Sequence, residues 1–142
     1  MKLSAAQTYF ADRLNAAPAL GAFASVLVFD EFAPDAEIES KIDQALSNHG
    51  VCIEISETDA SGGKTMSGRT GLVGGVTVYV AESLTVAHAP QGVLLVEAII
   101  AAACGQSLPG SQPVECTSVH ARKGERGYVL RVIDFTFPAQ VS

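Results

Sequence analysis

Residues 35–55 read Asp-Ala-Glu-Ile-Glu-Ser-Lys-Ile-Asp-Gln-Ala-Leu-Ser-Asn-His-Gly-Val-Cys-Ile-Glu-Ile. Two periods meet in this stretch. Ile38, Ile42, Ala45 and Leu46 recur at spacings of four, three and one, which lays them on one stripe of a helix. Glu37, Glu39, Lys41 and Asp43 point away from that stripe. Asp35 follows Pro34 and suits the N-cap, and Gly50 suits the left-handed residue that stops a helix. Val51, Ile53 and Ile55 then alternate with Cys52 and Glu54, the period of a half-buried strand. The strand thus follows the helix at once.

The rest of the chain is read outward from this unit. Upstream, Ser4 is placed to cap a helix reaching about Asn15, which Pro18 and Gly21 end. Val26 to Phe29 predicts a short strand. Downstream, Val76, Val78 and Val80 alternate with Thr77, Tyr79 and Ala81, a strand that pairs back on the one at Val51. Between them, residues 58–75 predict a long exposed hairpin loop, because Thr58 to Thr70 is small, polar and glycine-rich. Pro90 suits the first turn of a helix. Val93 to Cys104 is apolar nearly all round, which predicts a helix buried on most sides and ended by Gly105. After the connector Leu108 to Pro113, Val114 to Ala121 and Gly127 to Phe137 predict two strands, with Lys123-Gly-Glu-Arg as their turn.

This order implies an α+β fold. An antiparallel or mixed sheet of roughly four or five strands carries about three helices packed on one face. Residues 1–142 form a single domain, since no linker or internal repeat interrupts them. The last strand has Val129, Ile133, Phe135 and Phe137 on one side and Leu130 and Val132 on the other. Helices on one face leave the second apolar face to be covered by a neighbouring subunit.

Composition narrows the function classes. Of the 142 residues 48% are hydrophobic and 17% charged, and the mean hydropathy is +0.28, enough for a core and rich for a free monomer. The net charge of −6, with no Lys/Arg-rich run, argues against a grip on phosphates. DNA is expected only as passing cargo, sliding past acidic groups. Cys52, Cys104 and Cys116 make no CxxC pair and are odd in number, so reduced thiols are expected. The polar start Met-Lys-Leu-Ser-Ala-Ala-Gln does not read as a signal peptide, and the run Val93 to Cys104 is too short to span a bilayer. A cytoplasmic origin and no membrane partner are expected.

The motifs that carry chemistry are incomplete. Gly62-Gly63-Lys64-Thr65 resembles the end of a phosphate-binding loop, but position 58 is Thr and a strand follows where a helix must. Val132-Ile133-Asp134 lacks the strand end a metal-positioning Asp needs, since Phe135 to Phe137 continue the run. His49, His88 and His120 share no ligand spacing. Cys52 and Cys104 sit in apolar runs and read as small core side chains. No GxSxG elbow is present, and neighbouring carboxylates such as Glu37 and Glu39 point apart. No enzyme activity, cofactor or metal is expected.

The passage Ala36 to Ile55, with its Ala45-Leu46 and Gly50 leading straight into an apolar strand, resembles one in small phage tail proteins. The strand Val76 to Val86 with a helix after Pro90, and the closing pair Val114 to Phe137, are similar to the same proteins in layout. The group is the tail-terminator or tail-completion family of long-tailed bacteriophages and prophages, and the likeness runs from about residue 3 to 138. The resemblance implies a homohexameric ring that caps the tail tube and joins it to the head. It implies contact with the tail-tube protein and the head–tail connector proteins, and a place at the head-proximal end of the tail after assembly in the host cytoplasm. The family has no catalytic residue to carry over. The assembly interface is placed on Gly62, Gly63, Lys64, Thr65, Met66 and Arg69 of the loop and on Arg131 of the last strand. Two alternatives remain open at this point. One is another neck, connector or baseplate adaptor, and the other is a small-ligand-binding domain using the glycine-rich loop.

Overall fold

Gly50 takes φ 77°, and its N–H closes on the carbonyl of Leu46 at 3.0 Å, ending helix α2 (Asp35–His49). Strand β2 (Val51–Ile55) begins at the next residue. A side chain at position 50 would strain the left-handed backbone and press on Val86 and His88, so the helix-to-strand passage needs glycine. The chain is seen in a computed structural model that describes residues 1–64, 70–106, 109–123 and 127–140.

Two further helices are α1 (Ala6–Ala16) and α3 (Val93–Cys104). The other strands are β1 (Leu27–Val28), β3 (Asp59–Lys64), β4 (Thr70–Ser83), β5 (Glu115–Lys123) and β6 (Tyr128–Ala139). Together they give an α+β fold with a six-stranded open sheet in the order β1-β2-β4-β6-β5, and β3 pairs with β4 off that path. All pairs are antiparallel except β1 with β2. β4 is the hub, lying along β6 from Leu72↔Ala139 to Ser83↔Tyr128.

Two helices share one face of the sheet and the third takes the other. Phe10 and Leu14 of α1 and Leu95 and Ile99 of α3 are fully buried against Ile53, Val78, Ile133, Phe135 and their neighbours. The Phe10 ring lies 5.3 Å from that of Phe135. Period two then sends Cys52 and Ala81 to the opposite side, where Ala45, Ile42 and Leu46 of α2 cover them with Leu27 and Tyr128. The distribution follows from volume. α1 and α3 fill the first face, and the short passage at Gly50 lays the apolar stripe of α2 onto residues alternating with that core. The second face is thus half covered by this chain itself, and Tyr79 remains exposed on it.

The expected loop at 58–75 is largely sheet. Asp59 to Lys64 pair with Gly75 to Thr70, from Asp59↔Gly75 to Lys64↔Thr70. A ladder needs only backbone groups, so a stretch poor in strand-forming side chains still pairs when its neighbour is already extended. Residues 56–58 oppose only 76 and 77, a bulge that Ser56 fills: its N–H donates to the Thr77 carbonyl at 2.9 Å, and its Oγ accepts from the Thr77 N–H at 2.9 Å. The tip, 65–69, and the β5–β6 turn, 124–126, lie outside the described residues.

Helix starts differ in detail from the sequence reading. Asp35 is the first helical residue after Pro34, and Ser4 lies in a 3₁₀ turn (Leu3–Ala5) ahead of α1. Pro90 precedes α3, whose N-cap is Gly92 with φ 62°. Among the described residues no helix is long and apolar enough to cross a membrane.

Candidate assembly surface

The glycine-rich arm comes first because the sequence singles it out. Gly62, Gly63 and Lys64 stand opposite Leu72, Gly71 and Thr70. In an extended strand successive N–H groups point to alternate sides, so they do not converge on one anion as a phosphate cradle requires. Among the described residues β3 packs substantially against β4 alone, and nothing pairs with its outer edge. Ala60, Ser61 and Gly62 are exposed there. Thr65, Met66 and Arg69, also expected at the interface, lie outside the described residues.

Arg131, also expected at the interface, is partly buried and is engaged within the chain. Its Nε donates to Glu82 Oε2 at 2.5 Å, across the β4–β6 ladder, and its side chain is 19% exposed against 6% for Glu82. Glu82 Oε1 accepts from the Gly92 N–H at 2.8 Å and from His88 Nε2 at 3.0 Å. His88 Nδ1 lies 3.0 Å from the Val86 carbonyl oxygen. Burial alone pushes the Glu82 carboxyl up, but the hydrogen bonds from Arg131, Gly92 and His88 and the Arg131 charge outweigh it and hold the group below its usual value. The register explains the pairing: Val80↔Arg131 and Glu82↔Val129 put both charges on the side that carries α1 and α3, where an unpaired charge would be costly. The cluster straps the segment 84–92 down and fixes where α3 begins.

α3 itself departs from the expectation of a helix buried on most sides. Leu95, Val96, Ile99 and Ala103 face the core, while Val93 and Leu94 are 67% and 65% exposed. Glu97 and Ala101 continue the exposed stripe. Its far end is held by Arg13 of α1, which donates to the carbonyls of Ala102 and Gly105 and to Ser111 Oγ. A cation at a helix C-terminus meets the unpaired carbonyls and the negative end of the dipole.

On the opposite face, Ile42, Cys52, Glu54, Tyr79, Tyr128 and Leu130 line an open groove of about 220 Å³ with α2 as one wall. Burial raises the Glu54 carboxyl above its usual value. It also pushes the Cys52 thiol up to about 12, with the Glu54 charge adding to the effect. Further along this face, Asp134 accepts from Thr77 Oγ1 at 2.7 Å and Ser118 Oγ at 2.6 Å, which ties three strands together. Those bonds, opposed by burial and helped by His120, lower the Asp134 carboxyl. Asp134 sits in mid-strand with both oxygens used by the sheet, so it has a structural role in cross-strand pairing.

His49 ends α2, His88 belongs to the Glu82 cluster and His120 lies on β5. Among the described residues no three His, Cys, Asp or Glu side chains gather as a metal site. No protein-family model matches this chain, and no curated protein matches it. The features that stand out on the described surface are therefore an unpaired strand edge, an apolar helix turn and an apolar groove.

Proposed function

We propose that this chain is a structural subunit of a bacteriophage tail, forming a ring that caps the tail tube and joins it to the head. The observation that carries the reading is β3, a glycine-, serine- and alanine-rich strand whose outer edge is unpaired among the described residues. Soluble proteins blunt such edges with charges, prolines or covering elements, because open edges recruit other chains. Here the edge runs from Asp59 to Lys64, and between those two charges it has only Ala, Ser and Gly, which lets a neighbouring backbone approach and pair with little demand on sequence. The exposed apolar turn of α3 supports the same conclusion, since surface of that kind is usually covered in an assembly. The resemblance in layout to tail-terminator proteins supplies the address.

In this role the protein works by fit. The ring buries the edges and apolar patches of its subunits against one another, the tail-tube protein and the connector, and DNA passes through an acidic lumen. The test is removal. Particles made without the chain should accumulate as separate heads and tails, and the purified chain should restore joining. Complete, infectious particles made in its absence contradict the proposal.

A further inference from the structure

Two apolar features lie at the same end of the sheet, on its opposite faces. On one side the first turn of α3 projects Val93 and Leu94, with exposed Glu97 one turn on. The Glu82 cluster fixes this turn, because the Gly92 N–H that Glu82 accepts belongs to the residue just before the helix. Arg131, which holds Glu82, is opposite Val80. On the other side, Tyr79, Leu130 and Tyr128 of the groove are opposite Val132, Ala81 and Ser83, so the groove runs along this same stretch of β4 and β6.

We propose that the first turn of α3 in one copy of this chain docks into the groove between α2 and the sheet of a second copy. The two surfaces match in character, two projecting aliphatic side chains against an open apolar groove. Charge also matches. Arg122 is exposed and pairs with groove residue Leu130 in the β5–β6 register, so it lies on the groove side together with His120. Glu97 of the incoming turn meets Arg122 when Val93 and Leu94 are seated.

This inference rests on the ring reading and specifies its contact. The two surfaces differ, so the interface is head-to-tail and propagates from copy to copy. Such a contact closes into a ring when its rotation closes and winds into a filament when it does not.

The experiment is sedimentation velocity on the full chain at rising concentration, with the wild type, Leu94→Glu, Glu97→Arg, Arg122→Glu and the double reversal E97R/R122E. The wild type is expected at a multiple of 14.7 kDa and Leu94→Glu at 14.7 kDa itself. Each single reversal should weaken association roughly fivefold and the double should regain it. Thermal melting checks that each variant folds, and the charge pair decides alone if Leu94→Glu does not. Variants that all associate as the wild type does overturn the docking and leave the ring reading standing. A wild type that stays at 14.7 kDa at every concentration overturns the docking, and the ring reading is then decided separately by the particles made without the chain.

Discussion

Glu82 and Arg131 meet on the face of the sheet that carries α1 and α3, Oε2 to Nε at 2.5 Å, although 49 residues separate them. The pair is mostly withdrawn from water and is completed by the Gly92 N–H and His88. Burying two charges costs desolvation on both, which their attraction returns only while both are present. The contact therefore matters most when one partner is lost.

Arg131→Met should destabilise the chain by about 3 kcal/mol, since it leaves a buried carboxylate with only His88 and one amide. Urea unfolding followed by circular dichroism measures it. A loss under about 1 kcal/mol means that Glu82 is hydrated or neutral after the change.

Acid should weaken the fold through two carboxyls. Glu82 and Asp134 are both held below their usual values of 4.5 and 3.8 in the folded chain. Their stabilisation is present in full above those values and is lost as pH falls through the lower folded ones. Urea midpoints should drop between about pH 5 and pH 3, and E82Q and D134N should each flatten that drop. Glu54 has the opposite sign because burial raises it. E54Q should gain stability at pH 7 and lose that gain by about pH 3. An unchanged acid limb in both E82Q and D134N contradicts the assignment.

Gly74 and Gly62 make a matched pair. A Cβ at Gly74 would come within 2.3 Å of the Phe137 ring, whereas one at Gly62 meets nothing within 4 Å. Gly74→Ala should cost about 2 kcal/mol by displacing a buried ring, and Gly62→Ala should stay within about 0.5 kcal/mol of the wild type. Equal effects at the two sites would place the β4–β6 contact wrongly.

Cys52 should be the slowest of the three thiols to react with a disulfide reagent at pH 8. It is buried and its thiol is pushed up to about 12, while Cys104 and Cys116 are partly exposed. Mass spectrometry of partly labelled protein orders the sites. Early labelling of Cys52 would mean that α2 lifts readily from the sheet.

Much of this architecture is legible in the sequence where one short-range rule decides. The Ile38 to Leu46 stripe, Gly50 and the alternation after it give α2, its stop and β2, and the closing hairpin follows from alternation in β6. What is not legible depends on register or on neighbours. Arg131 reads as a surface charge until Val80↔Arg131 places it beside Glu82. β3 has almost no strand-forming side chains and is sheet because β4 offers it an extended edge. The face chosen by α2 depends on α1 and α3 having filled the other one. Val93 and Leu94 are as apolar as Leu95 and Val96, and the composition of α3 does not say which of them the fold leaves outside.

The most direct measurement is electron microscopy of phage particles that carry a tagged copy of this chain. The tag should appear at the head-proximal end of the tail, as a closed ring around the tube axis. A tag elsewhere on the particle, or particles without it while the chain remains free, would contradict the account.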